Sequence, residues 1–234
     1  MGRRPKGNPD VKVKICGITN WADARMAVEA GADFLGFNFY PRSPRYIEPA
    51  KAGAIVRRLP KGVGAVGVFV NEDQAAIVKI ADDVGLDAVQ LHGEESPGLV
   101  ARLAWVQQVI KAFRVSESLD YEKIRQYPGT TAILLDGFDA KRRGGTGKTF
   151  DWKLARRMGK RVPIILAGGL TAENVSEAIR VARPYAIDVC SGVERAPGKK
   201  DAGKMRAFVR AAKGPEWGSL PGDDFRQHAW RGKR

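Results

Sequence analysis

The stretch Val13-Lys14-Ile15-Cys16-Gly17-Ile18-Thr19 decides how this chain is interpreted. It is a short, β-rich run that ends at a thiol and then meets a glycine, and such a run bounded by a turn residue is typical of a buried strand. Asn20 follows, and asparagine readily caps a helix. Cys16 is therefore predicted to lie at the carboxyl end of a first strand, facing the loop into a first helix. Alternatively, it is a small buried hydrophobic residue, as most free cysteines are.

The alternation of strand and helix continues along the chain. Eight strand-like runs are predicted, at residues 11–16, 33–39, 63–70, 87–91, 106–115, 131–136, 162–167 and 186–190. Helical patterns follow them at 21–30, 49–59, 73–84, 97–104, 119–126, 152–158, 172–182 and 202–212, and Thr171 is expected to cap the seventh. Alternating strands and helices imply a parallel sheet, and eight units in about 200 residues indicate a single (β/α)8 TIM barrel. An open doubly wound sheet is the alternative, but no G-x-G-x-x-G follows the first strand.

The two ends of the chain do not continue this alternation of strands and helices. Residues 1–10 are rich in glycine, proline, arginine and lysine and are predicted to form a flexible basic arm. Residues 214–234 contain Gly-Pro and Pro-Gly steps, two tryptophans and scattered cations, and are predicted to form a C-terminal tail. Residues 11–213, between these two segments, are predicted to form the barrel catalytic domain.

The composition narrows the class of protein. Of 234 residues 44% are hydrophobic, enough for a sizeable core. Two cysteines, Cys16 and Cys190, make neither a disulfide framework nor a paired-cysteine metal site, and two histidines, His92 and His228, are too few for a histidine-rich one. No apolar run approaches the ~20 residues of a membrane span, and no apolar core of a signal peptide follows the basic N-terminus. We expect a cytoplasmic protein with free thiols, no metal and no membrane association.

The formal net charge of +14 points to an anionic partner. That partner is either a polyanion or an anionic small substrate. Much of the excess charge lies near the two termini and on ordinary helix faces, so we do not expect nucleic acid as a partner. A basic nucleic-acid-binding barrel is kept as the alternative from a different functional class.

Two glycine-rich turns follow the seventh and eighth predicted strands. They are Ala167-Gly168-Gly169-Leu170 and Cys190-Ser191-Gly192-Val193. Backbone N–H groups that glycine exposes beside a helix start bind phosphate, and TIM barrels often hold phosphate after these two strands. The alternative is that the glycines only permit tight turns. We expect a phosphate site at this place.

Two cationic loops follow other strands. Residues 141–150 resemble a P-loop, but Arg142 replaces the first glycine of G-x-x-x-x-G-K-[ST]. A flap over an anionic substrate is the favoured interpretation, and a plain solvated loop is the alternative. In residues 40–46, prolines flank Arg42 and Arg45, whose planar guanidinium groups suit a carboxylate or phosphate. One of these two arginines is expected to be only a surface cation.

Asp136 ends the apolar run of the sixth predicted strand. Partial desolvation there favours the protonated carboxyl group and suits a general acid. Cys16, at the same barrel face, is the candidate base, provided that donors or positive charge stabilise its thiolate. A thiol and a carboxyl group without a metal indicate proton transfer, as in an isomerisation.

The chain resembles the phosphoribosylanthranilate isomerases in eight motifs that occur in order between about residues 11 and 213. The run Lys-Ile-Cys-Gly-Ile-Thr is the most specific of them. The motifs are Lys14–Thr19, Gly36–Arg45, Val66–Asn71, Val89–Gly93, Leu135-Asp136, Gly144–Lys148, Leu166–Leu170 and Ser191–Glu194.

This resemblance implies a TIM barrel of tryptophan biosynthesis. Members of the family convert N-(5-phosphoribosyl)anthranilate to the 1-deoxyribulose form by an Amadori rearrangement, without metal or cofactor. Asp136 would then protonate the ribose ring oxygen, Cys16 would remove the C2′ proton, and Arg45 would hold the anthranilate carboxylate. The implied substrate-binding residues are Arg45, His92, Gly145, Gly168, Gly169, Ser191 and Gly192.

Two further expectations accompany the resemblance. The partner is a phosphorylated small molecule, and the chain is a monomer or homodimer. The closest alternative within enzymes is the aldose–ketose isomerase of histidine biosynthesis, which uses paired aspartates in a two-fold-repeated barrel that is not evident here. Cys190 stands where the family pattern commonly has serine, and a disulfide between it and Cys16 would remove the base.

Overall fold

Eight parallel strands close into a barrel in the computed structural model, which describes residues 11–115, 121–137, 152–159 and 162–214. Each strand pairs with the next in sequence, and β8 pairs with β1, so the sheet has no edge. This confirms the predicted (β/α)8 TIM barrel. The strands are β1 Lys12–Cys16, β2 Phe34–Asn38, β3 Gly64–Phe69, β4 Ala88–Leu91, β5 Val109–Arg114, β6 Ala132–Asp136, β7 Ile164–Ala167 and β8 Ala186–Val189.

A helix follows each strand. The helices are α1 Trp21–Glu29, α2 Pro49–Val56, α3 Gln74–Val84, α4 Pro97–Leu103, α5 Tyr121–Arg125, α6 Trp152–Met158, α7 Val175–Ala182 and α8 Ala202–Lys213. Across the ranges that the structure describes, none of the helices is long and apolar enough to cross a bilayer. The arm 1–10, most of the tail 214–234 and the loop at 141–150 lie outside these ranges, so the predictions made for them stay predictions.

Local sequence signals explain several helix ends. The side chain of Asn20 accepts a hydrogen bond from the backbone N–H of Asp23 at 2.9 Å and caps α1, as predicted. Asp73 caps α3 through the N–H of Ala76. Gly85 ends α3 with a φ of +79°, a left-handed conformation that favours glycine.

Three predicted boundaries were wrong by three residues, and one of them is the end of α2, at Val56 rather than at residue 59. Helix α7 begins at Val175 rather than at residue 172, and Thr171 does not cap it, because residues 171–174 form a turn in which the Asn174 side chain accepts from the Thr171 N–H at 2.8 Å. Strand β5 begins at Val109 rather than at residue 106. Val106 is 61% exposed and continues the turn that ends α4.

A short excursion between β8 and α8 was not predicted. A 3-10 helix, Ser191–Val193, leads into a hairpin of β9 Glu194–Ala196 and β10 Lys199–Lys200. Strands of two and three residues are too short to show a period in sequence. The hairpin docks on the loop before α1, since the hydroxyl group of Thr19 donates to the carbonyl of Gly198 at 2.7 Å.

Two apolar layers hold the barrel together. The larger layer fills the space between the sheet and the helices. The smaller one lies inside the barrel and consists mostly of short side chains, namely Val66, Ala88, Ile110, Ala112, Ala132, Leu134, Ile165, Ala167 and Ala186. Because residues two apart on a strand share a face, Gln90 points inward with Ala88, and Asp188 points inward with Ala186. The inward side chains are therefore mostly apolar in the middle of the barrel and become polar towards the carboxyl ends of the strands.

Candidate active site

The predicted catalytic residues lie at one end of the barrel. Cys16 is the last residue of β1, and Asp136 is the last residue of β6. The other predicted site residues follow the carboxyl ends of β2, β4, β7 and β8, and they are Arg45, His92, Gly168, Gly169, Ser191 and Gly192. Gly145 lies outside the described residues.

The Cys16 thiol is buried beside an ammonium group. Lys14 precedes it by two positions on the inner face of β1 and donates to Asp188 Oδ1 at 3.0 Å. Gly36 on the neighbouring strand makes room for both groups. A Cβ there would lie 2.7 Å from Cys16 Sγ and 3.1 Å from Lys14 Nζ. A side chain at position 36 would therefore displace the thiol or the ammonium group.

The surroundings of Cys16 favour its thiolate form. A hydrogen bond with Cys190 lowers the pKa of the Cys16 thiol, burial opposes this, and the positive charges of Lys14 and Lys200 lower it further. The net result is a pKa well below the ordinary value. Burial by itself would lower the pKa of Lys14, but the charges of Asp188 and Cys16 outweigh burial and raise it. Lys14 is therefore held as an ammonium group beside a thiol whose ionisation it favours.

Asp188 completes this cluster. Burial raises its pKa from 3.8 to about 6, an effect that Lys14 opposes and the charge of Cys16 reinforces. Neither Lys14 nor Asp188 was predicted as a site residue. A signal was available in the sequence, because each strand has a charged residue among apolar ones. Lysine and aspartate are seldom fully buried unless they are paired, so each of them indicated a buried partner.

Cys190 is a second free thiol next to the first. Its hydrogen bond with Cys16 and its burial raise the pKa of Cys190, whereas the pKa of Cys16 is lowered, so the surroundings favour ionisation of Cys16 over Cys190. Lys200, which is fully buried, lies with its Nζ 3.7 Å from Cys190 Sγ and 2.9 Å from Glu194 Oε1. The two thiols therefore lie beside buried lysines, and they form no disulfide.

Arg45 lies at the rim of the same site. Its Nε and Nη2 groups donate to the two carboxylate oxygens of Glu194 at 2.9 and 2.7 Å. The aliphatic part of Arg45 covers Gly17, where a Cβ would lie 2.8 Å from Arg45 Cδ. One edge of the guanidinium group is therefore fixed by Glu194, which the sequence reasoning missed as a site residue. Arg42 is exposed, as expected for one of the two arginines.

Asp136 contacts His92 across the barrel mouth. His92 Nε2 lies 3.3 Å from Asp136 Oδ2, and the two side chains are 22% and 19% exposed. His92 follows β4, and its backbone N–H donates to the carbonyl of Phe69 at 2.8 Å. The imidazole ring, predicted to bind substrate, thus directly contacts the predicted acid.

The loop that carries His92 is tied down by a buried ion pair. Lys111 Nζ lies 2.8 Å from Glu95 Oε2 and also donates to the carbonyl groups of Leu91 and Gly93. Burial alone would raise the pKa of Glu95, but the hydrogen bond from Lys111 and the N–H of Asn71 outweigh it and lower that pKa. This network fixes the backbone on both sides of His92.

The two glycine-rich turns are packed against each other and against Asp136. Gly168 and Gly169 have φ values of +86° and +63°, and a Cβ on Gly168 would lie 2.6 Å from Asp136 Oδ1. A Cβ on Gly192 would overlap the carbonyl oxygen of Leu170. Ser191 and Gly192 open a helical turn, where the first N–H groups have no partner within the turn. These turns offer backbone donors to an anion next to Asp136.

Comparison with known proteins identifies the family. The sequence model of the family described as N-(5′-phosphoribosyl)anthranilate (PRA) isomerase matches residues 13–211. The enzyme of that name from Pelobacter propionicus is 51% identical over 203 residues, which are 87% of this chain and 96% of the relative.

Solved structures give the same result. The crystal structure of phosphoribosyl anthranilate isomerase from Thermotoga maritima has a TM-score of 0.80 at 50% identity, and the match covers 87% of this chain and 98% of that one. A structure of the enzyme in complex with reduced 1-(o-carboxyphenylamino)-1-deoxyribulose 5-phosphate has a TM-score of 0.78 at 48% identity, with coverage of 87% and 98%. The chain belongs to the N-(5′-phosphoribosyl)anthranilate isomerase family.

Proposed function

We propose that Asp136 and Cys16 are the general acid and the general base of the isomerase reaction that this chain carries out in tryptophan biosynthesis. The reaction converts N-(5-phosphoribosyl)anthranilate to 1-(2-carboxyphenylamino)-1-deoxyribulose 5-phosphate. Asp136 donates a proton to the ribose ring oxygen while the bond from that oxygen to C1′ breaks, which leaves a Schiff base. The Cys16 thiolate then removes the proton from C2′, and the resulting enolamine becomes the ketose when C1′ gains a proton and the 2′-hydroxyl group loses one.

The observation that carries this proposal is the charge arrangement around Cys16. A base must be unprotonated before the reaction begins, and a thiol at its ordinary pKa is mostly protonated at neutral pH. Lys14, Lys200 and the Cys190 thiol all stabilise the thiolate. An acid and a base on different strands of one barrel mouth suit two proton transfers at neighbouring atoms of one sugar.

Positive charge and glycine turns provide for the two anionic ends of the substrate. We propose that the free edge of the Arg45 guanidinium group binds the anthranilate carboxylate, while Glu194 orients the group through its other edge. The phosphate would bind the backbone N–H groups of the turns at Gly168, Gly169, Ser191 and Gly192. This orientation places the ribose between the two turns and the arginine, beside Asp136. The monomer or homodimer state and the cytoplasmic setting stay predictions.

Turnover of the substrate tests this function directly. Loss of the fluorescence of phosphoribosylanthranilate is expected on addition of the purified protein. The histidine-pathway aldose serves as a second substrate for the alternative isomerase, and salt-dependent binding to duplex DNA tests the nucleic-acid alternative. Absence of turnover of phosphoribosylanthranilate would refute the assignment.

Replacing Cys190 with alanine is expected to shift the pH dependence of the reaction. The hydrogen bond from Cys190 lowers the pKa of Cys16, so its loss raises that pKa. Because the thiolate is lost as the pH falls through this pKa, the acidic limb of the kcat/KM profile should move to higher pH. The ultraviolet absorbance of the thiolate in a pH titration gives an independent measurement. Cys190→Ser retains a donor and should shift the limb less, and an unshifted profile in Cys190→Ala would contradict the interpretation.

Arg45→Lys is expected to raise KM by about 10- to 100-fold, since a hydrogen bond to a charged group contributes about 1.5–3 kcal/mol. A lysine keeps the charge but cannot bind Glu194 and a substrate carboxylate with one planar group. Steady-state kinetics should show a smaller change in kcat. Arg42→Lys, in the same loop but exposed, is the matched control and should leave KM unchanged. Equal effects of the two substitutions would remove Arg45 from the binding site.

A further inference from the structure

A line of three polar side chains leads from the barrel interior to the proposed acid. Gln90 Nε2 lies 3.1 Å from His92 Nδ1, and His92 Nε2 lies 3.3 Å from Asp136 Oδ2. Gln90 is 1% exposed and takes no part in the mechanism described above. We propose that Gln90 is a positioning residue that fixes the tautomer of His92 and thereby decides which oxygen of Asp136 carries the acid proton. The inference rests on the proposed role of Asp136 as the general acid.

The hydrogen-bonding rules of imidazole connect the three side chains. A neutral imidazole has one N–H group and one acceptor nitrogen, and the partner of one nitrogen determines the state of the other. The amide nitrogen of Gln90 can only donate, so Nδ1 of His92 accepts. The ring proton then lies on Nε2, and this N–H group donates to Asp136 Oδ2. An ionised Asp136 favours the same tautomer, so Gln90 and the carboxylate act together on the two nitrogens of the ring.

The tautomer matters most when Asp136 is protonated. If Oδ2 accepts from His92, the acid proton is held on Oδ1. Oδ1 faces the glycine turn at Gly168, where the substrate phosphate is proposed to bind. In the opposite tautomer Nε2 would be an acceptor, and Asp136 would donate its proton to His92 rather than to the ribose oxygen. Gln90 therefore directs the acid towards the substrate.

Two observations separate this role from ordinary packing. Gln90 Oε1 is buried and has no hydrogen-bond partner among the residues that the structure describes. Such an unpaired acceptor is unfavourable, and an apolar side chain of similar volume would avoid it, so the use of this glutamine lies in its donor end. The backbone around His92 is held independently by Lys111, which donates to the carbonyl groups of Leu91 and Gly93. Loss of the Gln90 amide should change the tautomer and leave the loop in place.

Nitrogen-15 NMR of the imidazole groups tests the tautomer without reference to activity. The chain has only two histidines, and His228→Gln assigns their signals. In the wild-type protein His92 is expected to be protonated at Nε2 and unprotonated at Nδ1. Gln90→Met should give a mixture of tautomers. Gln90→Glu, whose carboxylate can only accept, should place a proton on Nδ1.

Kinetics of the same variants test the consequence. Gln90→Met and Gln90→Glu should lower kcat by about tenfold, the effect of roughly one hydrogen bond, with KM unchanged. Gln108→Met is the matched control, because Gln108 accepts from Thr131 Oγ1 at 2.9 Å at the opposite end of the barrel. This control should alter neither kcat nor the spectrum of His92.

Two results would overturn the proposal. One is a wild-type His92 protonated at Nδ1 alone, which needs no variant and decides the matter even if Gln90→Met does not fold. The other is a folded Gln90→Met protein with unchanged kcat and an unchanged tautomer. Failure of the underlying acid role has a different signature, since a fully active Asp136→Asn would refute that role whatever the state of His92.

Discussion

Asp136→Asn is expected to lower kcat by about 10²- to 10⁴-fold, the usual effect of removing a general acid or base. Asparagine has nearly the same shape, and its amide oxygen can still accept from His92 Nε2, so the site should keep its geometry. What the variant lacks is a proton that can be transferred to the ribose oxygen. Single-turnover kinetics should show the loss in the chemical step.

Binding of a product analogue separates this chemical role from a structural one. The affinity of Asp136→Asn for reduced 1-(o-carboxyphenylamino)-1-deoxyribulose 5-phosphate should stay close to that of the wild type. Asp87→Asn is the matched control, because Asp87 accepts a hydrogen bond from the N–H of Ala65 at the opposite end of the barrel. Equal losses of kcat and of affinity in Asp136→Asn would make Asp136 a structural residue.

Cys16→Ser is expected to reduce kcat by several orders of magnitude, at or beyond the upper end of the usual ~10²- to 10⁴-fold range. A serine hydroxyl group fits the same space beside Gly36, but Lys14 and Cys190 cannot lower its pKa enough to give an alkoxide at neutral pH. Solvent exchange of the C2′ proton should be lost together with turnover. Cys190→Ser makes the same atomic change at the residue that follows the adjacent strand β8 and should cost far less. A near-normal rate in Cys16→Ser would exclude Cys16 as the base.

Sequence reasoning was strongest where one local signal was enough. The period of the apolar residues and the capping side chain of Asn20 act within a few residues, so the order of strands and helices was predictable. The rule that the carboxyl ends of parallel strands meet at one face then brought Cys16 and Asp136 to one site. The start of α7 was predicted wrongly because the Asn174 side chain accepts a hydrogen bond from the Thr171 N–H, which forms a turn in place of the first helical residues.

The side chains that surround Cys16 and Asp136 could not be predicted in the same way. Lys14 and Asp188 are 174 residues apart in sequence, and only barrel closure brings them together. Gln90 is an ordinary polar residue in a strand until its neighbour His92 is seen to reach Asp136. Sequence patterns give the elements and their ends, whereas partners that meet across the barrel depend on strand register.

The buried Lys14–Asp188 ion pair also bears on the thermal stability of this barrel. Because the folded-state pKa of Asp188 is raised from 3.8 to about 6, its contribution to stability is fully present below the lower value and is lost as the pH rises through the higher one. This raised value already includes the opposing charge of Lys14. In other proteins, apolar replacement of a buried ion pair is often neutral or stabilises by about 1–4 kcal/mol. By this rule, an apolar pair at these two positions is expected to cost no stability, so the ion pair beside the proposed base Cys16 is not needed for heat resistance.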